Sequence, residues 1–399
     1  MRIGIVTDNL PWEGLGGGIG TYTVLTAHEL VRRGIEVHVF RWRSEEGYSR
    51  YERDGVHYHL CPKWISLRGD SPKYGLMLQF SSRMNPPLAE TQILRSVIEK
   101  VSSEKPFDVI EFPEFEGYGK AGIGLKGVKH VSVRLHGCSK LVRHFAGESE
   151  DAPMQKVDAL EREVALKADS VTSVSRSALQ ATQKIWKTSL ENATVVPNPI
   201  ERMIESFDEV SERLPTTVFF GGRLEARKGI ETLSAAIPLI VEAVPDVQFQ
   251  IFGKDKEWDD GRTGAGIVHA MLDANPHLRG KVLVPGAVSR EELLTHLRRA
   301  TLAVVPSLYE NQPFAVLEAL ALATPLLVSD ISAHTEMITN SEMGETFKVG
   351  NAKDFACRVI SLLENSERRN SLSRGALARS RAYETEPIVD SLLSCWGVH

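Results

Sequence analysis

Cysteine is scarce. Cys61, Cys138, Cys357 and Cys395 are the four in 399 residues, and no two stand in a C-x-x-C spacing. That excludes a dense disulfide framework and a paired-cysteine zinc or redox motif. The chain reads as reduced and intracellular, its thiols buried as small hydrophobes. Long apolar runs are missing too: none reaches the roughly 18 to 20 residues that a membrane-crossing helix needs. The opening MRIGIVTDNLPWEGLGGGIG lacks the charged segment and long apolar run of a secretory signal, so none is expected. Excess positive charge is absent as well. A formal net charge of -5 argues against a general nucleic-acid binder. No D-x-D segment suggests an essential divalent metal, no carboxylate pair stands out as a glycosidase acid and nucleophile, and no lysine motif suits a pyridoxal cofactor.

What remains is ordinary globular composition, 42% hydrophobic and 25% charged, at a length for which two domains are the default. The apolar run Ile3 to Val6 precedes a glycine-rich loop, Gly14 to Gly20, then a helical pattern from Thr21 to Arg33 ending at Gly34. Two arginines in the last turn suit the helix dipole and Gly34 suits the residue after the cap. Ile35 to Phe40 reads as the next strand, completing a β-loop-α-β unit. Further strands are expected at Val56 to Leu60, Phe107 to Phe112, Val128 to Leu135, Val171 to Val174 and Thr194 to Val196, with a charged helix from about Met154 to Ala168.

A second cycle begins at Thr217 to Phe220 and continues through a helix from about Gly229 to Val244 and a strand from Val247 to Phe252. Strands Val282 to Val284, Leu302 to Val305 and Leu326 to Ser329 alternate with helices Arg290 to Arg299 and Phe314 to Ala323. Ser289 and Glu292 form a Ser-x-x-Glu capping box. The carboxylate-rich loop KDKEWDDGRTGAG does not match calcium-loop spacing and reads as an exposed loop. Alternating strands and helices make the chain α/β with two parallel sheets. The expected divisions are 1–199, 200–380, and a C-terminal helical segment, 381–399, that packs back on the first domain.

Two segments hold candidate chemistry. Gly221-Gly222-Arg223 follows a strand and Lys228 precedes a helix, so two cations and small residues stand where a diphosphate could be held. A solvated charged loop is an equal reading of that spacing. Downstream, PSLYENQPFAVLEALALATP places Glu310 before Pro313 and Glu318 about one turn inside a helix. A glutamate before the helix can reach sugar hydroxyls, one on it can grip a ribose, and the first amides can face phosphate. Two glutamates eight apart are common in any charged helix, so this pair alone decides nothing.

Together these segments closely resemble the retaining glycosyltransferase family 4, whose members have the GT-B fold. The family's Gly-Arg-x4-Lys-Gly stands here as GGRLEARKG, and its P-S-x-x-E pattern ending E-A-x-A-x-x-x-P as PSLYENQPFAVLEALALATP. A first-domain glycine loop, Gly16 to Gly20, a histidine after a strand, His136, and an Asn-Pro, Asn198, match as well. The resemblance covers nearly the whole chain. It implies two Rossmann-like domains facing each other across a deep cleft, and metal-independent transfer with retention that needs no cofactor.

By that resemblance, Arg223 and Lys228 contact the donor diphosphate and stabilise the leaving nucleotide. Glu310 touches the 3- and 4-hydroxyls of the transferred sugar, helped by the amides of Asn311, Gln312, Phe314 and Ala315. Glu318 binds the ribose, and the base lies near Val282 to Pro285, around Val284, through backbone groups. His136 stands by the sugar 6-hydroxyl and the reacting carbon. Gly17 and Gly18 let the first loop approach the diphosphate or acceptor, while Asn198, Gly222 and Val316 complete the donor set.

The chain departs from the family at Ala323-Thr324-Pro325, where a glycine is usual, and at Ser332-Ala333-His334, where others have Gly-Gly. Neither change removes an implied ligand. Partners are then a nucleotide sugar, UDP-glucose or UDP-N-acetylglucosamine before GDP-mannose, and a hydroxyl-bearing acceptor. The setting is cytoplasmic, with peripheral membrane contact and oligomeric state left open. Residues 61 to 84, and Glu111 with the carboxylates Glu114 and Glu116 of the adjoining FPEFEG, are acceptor candidates, against an ordinary packing role. A non-catalytic sugar- or nucleotide-binding module is the rival reading. A lone dinucleotide-binding Rossmann domain is disfavoured because GLGGGIG lacks the G-x-G-x-x-G register.

Overall fold

The computed structural model describes all residues except 14–16, 44–46, 63–85, 147–150, 211–212 and 399. The acceptor candidates from residue 63 onward therefore fall outside the described residues, as does Gly16. The chain divides into two compact units. The first joins Met1–Arg143, Ser149–Pro199 and Thr385–His399; the second joins His144–Glu148 and Ile200–Glu384.

In the first unit the described strands are β1 (Arg2–Thr7), β2 (Glu36–Arg43), β3 (Ser49–Arg53), β4 (Val56–Pro62), β5 (Val109–Pro113), β6 (Val131–Leu135), β7 (Ser170–Ser173) and β8 (Ala193–Val195). They form one sheet in the order β3-β4-β2-β1-β5-β6-β7-β8. Every pairing is parallel except β3 with β4. The continuous burial of β1, β5 and β6 follows from helices covering both faces. The polar hairpin strand β3, SRYER, is not expected from sequence: its alternation is weak and it sits at the sheet edge.

The second unit carries β9 (Thr217–Gly221), β10 (Gln248–Phe252), β11 (Val282–Gly286), β12 (Leu302–Val305), β13 (Leu326–Ser329) and β14 (Glu345–Phe347), parallel throughout and ordered β11-β10-β9-β12-β13-β14. One face buries Ile230, Leu233, Ile237, Phe249 and Phe355. The other buries Phe219, Val316, Leu320 and Val328. Both sheets are thus of the Rossmann type.

In an open α/β sheet, ligands bind beyond the carboxyl ends of strands where the order reverses. The order reverses about β1, between β2 and β5, and about β9, between β10 and β12. The loops that matter are therefore those after β1, β5, β9 and β12.

Several local expectations change. The first helix begins within the glycine loop, at Gly18, and runs to Arg32; Gly34 takes the left-handed conformation beyond its cap. Ser289 caps the helix Arg290–Arg299 by accepting the Glu292 amide, 3.2 Å away. Ala323, the residue in place of the usual glycine, itself adopts φ 52°. Packing with Ile204 and Leu377 holds it there. Cys61 and Cys138 are buried, but Cys357 is exposed and Cys395 half-buried, so the expectation of four buried thiols fails for two. The helix Thr385–Cys395 belongs to the first unit, where Arg33 bonds Asp390 and donates to the Glu386 carbonyl at 2.9 Å. Among the described residues, no helix is long and apolar enough to cross a membrane.

Candidate active site

In the second unit, β9 delivers the chain to Gly222, whose amide reaches the Phe252 carbonyl at 3.0 Å. Gly253 packs so tightly beneath this turn that a Cβ there would lie 1.7 Å from the Gly222 oxygen. After the turn, Gly229 takes φ 74° and sits against the Pro306 carbonyl, where a Cβ would come within 1.9 Å. The Leu308 amide donates to the Arg227 carbonyl at 2.7 Å. These close backbone approaches bring the loop after β12 onto the loop after β9.

The result is a buried charge cluster. Lys228 Nζ is 2.5 Å from Glu310 Oε1, Arg227 Nη1 is 3.3 Å from Oε2, and Ser307 Oγ donates to Oε1 at 2.9 Å. Burial pushes the Glu310 carboxyl up, but Lys228 and Arg227 outweigh it and hold it at about 2. Lys228 is pushed below the usual lysine value by burial, against the pull of Glu310. Glu225 receives Arg227 at 2.9 Å and Arg223 at 2.7 Å, and the Arg223 side chain stays 56% exposed. Of the two expected cations, one is therefore locked to Glu310 and the other stands toward solvent.

Beneath the cluster, Ser329 Oγ donates to the Ser307 carbonyl at 2.5 Å, and His334 Nδ1 lies 3.0 Å from the Ser329 carbonyl. A carbonyl only accepts, so Nδ1 carries the proton in the neutral ring. Burial lowers this imidazole to about 4. The residue that replaces a family glycine is thus a buried prop under the loop that carries Glu310.

The helix Phe314–Ala321 starts at Pro313. Asn311 and Gln312 lie just before it, and Phe314 and Ala315 open its first turn, where the N–H groups have no carbonyl four residues back inside the helix; the Val316 amide, expected in the donor set, donates instead to the Pro313 carbonyl at 3.1 Å. Glu318 is buried within it and accepts from Arg290 Nε at 3.2 Å. Burial raises the Glu318 carboxyl, with Arg290 opposing. Val284 lies on edge strand β11, and its side chain packs against the core.

The remaining expected residues sit in the first unit. Gly17 precedes the first helix turn in extended backbone, φ -157°, so its usefulness is small size and not left-handed freedom. Gly18 opens that helix, and Gly20 packs so closely on Asn9 that a Cβ would meet its Oδ1 at 2.4 Å. His136 follows β6, its ring edge-on to Tyr22 with centroids 5.1 Å apart. Burial and then Arg134 keep this imidazole well below its usual pKa. Asn198 is buried here too, its Oδ1 accepting from Arg134 at 3.1 Å. The sequence-expected set thus splits between the units: Arg223, Lys228, Glu310 and Glu318 group in the second, while Gly17, Gly18, His136 and Asn198 lie in the first.

Two family models cover most of the chain: "Glycosyl transferase 4-like domain" over residues 17–199 and "Glycosyl transferases group 1" over 202–379. The chain belongs to glycosyltransferase family 4. This glycosyltransferase is 28% identical to a glycogen synthase of Mycobacterium tuberculosis over 59% of its length, spanning 55% of that protein. Against a D-inositol 3-phosphate glycosyltransferase of Stackebrandtia nassauensis it is 23% identical, covering 97% of this chain and 88% of the relative. Its fold is that of a sucrose-phosphate synthase from Thermosynechococcus elongatus, TM-score 0.76 at 18% identity over 99% and 98% of the two chains. Anabaena HepE, solved with UDP and glucose, gives 0.74 at 14% over 100% and 99%.

The glycosyltransferase's sequence misses some of what its structure brings together. Arg227 stands inside RLEARKG masked between two motif cations, Arg290 carries no local signal, and Ser307 is the serine of the P-S-x-x-E pattern with no role implied for it. Only their pairing with Glu318 and Glu310 reveals them. The acceptor expectation for FPEFEG is corrected. Glu111 is buried and bonded by Tyr22 Oη at 2.6 Å, Glu114 is buried against backbone amides, and Glu116 accepts from Tyr118 at 2.6 Å. Because β5 is buried throughout, Glu111 and Glu114 turn inward, and for these two the expectation fails; Glu116 is half-buried.

Proposed function

We propose that this chain transfers a hexose or N-acetylhexosamine from a nucleotide-diphosphate sugar, a UDP-sugar first, to an acceptor hydroxyl with retention. The observation that carries the reading is the buried Lys228–Glu310 pair beside the first turn of the helix that holds Glu318. In that reading Arg223, Lys228 and the amides of Asn311, Gln312, Phe314 and Ala315 meet the diphosphate. Glu310 takes sugar hydroxyls, Glu318 takes the ribose, and Gly222 and the backbone around Val284 border the nucleoside. The bond from the anomeric carbon to the phosphate oxygen breaks as the acceptor oxygen bonds to the same face. The acceptor proton passes to a donor phosphate oxygen. Charge developing on the diphosphate is met by fixed cations and amides, which need little rearrangement. A neutral His136 accepts from the sugar 6-hydroxyl, and no essential metal or cofactor is called for.

HepE, a structural relative, was solved with UDP and glucose, which supports a uridine donor. Phosphatidyl-myo-inositol mannosyltransferases, 28% identical over 53% of the chain in Mycolicibacterium smegmatis, favour a GDP-mannose donor as the second reading. The acceptor is a hydroxyl compound reached through the first unit.

The test is binding and slow hydrolysis of UDP-, GDP- and ADP-sugars without added metal, with Glu318→Ala as control. One preferred donor whose affinity drops in the variant supports the reading. Absence of binding and turnover across the panel, with acceptors also failing to restore it, moves the protein to the binding-module class.

A further inference from the structure

Among the buried carboxyls outside the donor cluster, Glu114 and Glu161 gather backbone donors. Glu114 follows β5 and is fully buried; its Oε2 accepts the His136 amide at 2.9 Å and its Oε1 the Gly137 amide at 2.5 Å. Glu161, on the helix Ala152–Lys167, is equally buried. Its Oε1 takes Ser139 Oγ at 2.5 Å and the Glu116 amide at 2.9 Å, and its Oε2 the Ser139 amide at 3.1 Å. Two carboxyls thereby hold five donors from the segments after β5 and β6, the second of which begins with His136.

The local backbone needs such a hold. Gly137 has φ 134°, and Glu116 and Gly117 both lie in the left-handed region, at 54° and 67°. Gly117 is pressed on the helix that carries Glu161, where a Cβ would meet Leu160 at 2.4 Å. A buried carboxylate that satisfies two or three amides fixes a turn that water would otherwise bind and loosen.

We propose that Glu114 and Glu161 are positioning residues for transfer, which act through the amides of His136, Gly137 and Ser139 to fix the direction of the His136 ring. The proposal rests on the reading that His136 flanks the reacting carbon. Neither carboxyl touches a substrate.

The surroundings of the pair make it sensitive to base. Burial raises Glu114 to about 7, and burial together with the charge of Glu114 raises Glu161 to about 8. Arg134 on β6 opposes the shift at Glu114, and the Cys138 thiol lies in the field of both. As pH rises through this range, two negative charges appear in one buried place, and their mutual repulsion works against the five contacts that hold the segment.

The experiment compares wild type, Glu114→Gln and Glu161→Gln in kcat, donor KM, nucleotide affinity and the pH profile of kcat. In Glu114→Gln an amide nitrogen faces one of the two backbone donors. The expected result is a kcat loss of about 10- to 100-fold, the scale of an ångström's misplacement, with nucleotide affinity within about twofold of wild type, well inside a tenfold change. In Glu161→Gln the alkaline limb of kcat moves to higher pH, which loss of stability alone would not produce. A kcat for Glu114→Gln within twofold of wild type, or an alkaline limb that stays in place, overturns the proposal.

If Glu114→Gln does not fold, Ser139→Ala removes one donor and keeps both carboxyls. A kcat loss of about 3- to 10-fold at unchanged donor KM supports the proposal, and an unchanged kcat sinks it. If wild type turns over no donor, the functional reading fails separately. The His136 ring resonances, assigned with His136→Ala, then decide: they shift in Glu114→Gln if the carboxyl positions the ring and stay fixed if it does not.

Discussion

Replacing Glu310 by glutamine removes the one carboxylate on which Lys228, Arg227 and Ser307 converge. Arg227 keeps Glu225 at 2.9 Å, so Lys228, with a side chain only 17% exposed, is the cation left without a partner. Breaking a buried pair from one side costs about 3–5 kcal/mol. The surviving Glu225 contact places this case at the low end, about 3 kcal/mol. For a unit of this size that lowers the thermal midpoint by about 6–12 °C. A nucleoside diphosphate restores negative charge to Lys228, so it should stabilise the variant more than wild type. At a hundred times its Kd the ligand contributes about 2.7 kcal/mol. The assay is a calorimetric scan of both proteins with and without the nucleotide that wild type prefers. Acid offers the same perturbation without mutation. The Glu310 carboxyl is held below its unfolded value, so its contribution is complete above about pH 4.5 and is lost as pH falls toward 2. A variant whose midpoint stays within about 1 °C of wild type, a fraction of a kcal/mol, would mean that the pair is not energetically coupled.

Two further outcomes test other parts of the fold. In the first unit, His38 Nδ1 lies 2.8 Å from His59 Nε2, and burial lowers the His59 imidazole to about 3. Its unfolded value is near 6.5, so stability is complete above that and falls as pH drops. By pH 5 this one group has removed about 2 kcal/mol. His59→Gln should flatten the urea-unfolding midpoint of the first unit between pH 7.5 and 5, and an unaltered slope would refute the assignment. Gly229→Ala should cost about 2 kcal/mol or more, since φ 74° and the Pro306 carbonyl both reject a Cβ. It should also separate Lys228 from Glu310 and weaken nucleotide binding measured by calorimetry; unchanged affinity would show that this packing does not set the site.

The parallel sheets are legible because β1, β5, β6 and β9 are short, largely apolar and followed by glycine-containing loops, and β12 is a short apolar run ended by Pro306. The edge strand β3 is not, for it carries Ser49, Arg50, Glu52 and Arg53 and owes its place to pairing with β4. Lys228, Glu310 and Glu318 are ambiguous by spacing and are picked out only by the family motifs they complete, whereas Arg227 becomes visible only when two loops far apart in sequence meet. The inward turn of Glu111 and Glu114 is hidden for a related reason: carboxylates near a strand end look solvent-facing until their amide partners are known. Ala323 teaches the converse. The sequence marks the missing glycine, and the structure keeps the left-handed turn without it.

The Lys228–Glu310 pair gives Lys228 a resident counterion. An arriving phosphate does not find a bare cation; it must compete with a carboxylate 2.5 Å away. Small anions bound by charge alone would be held weakly, and only a ligand that also engages Glu310 gains from both halves of the pair.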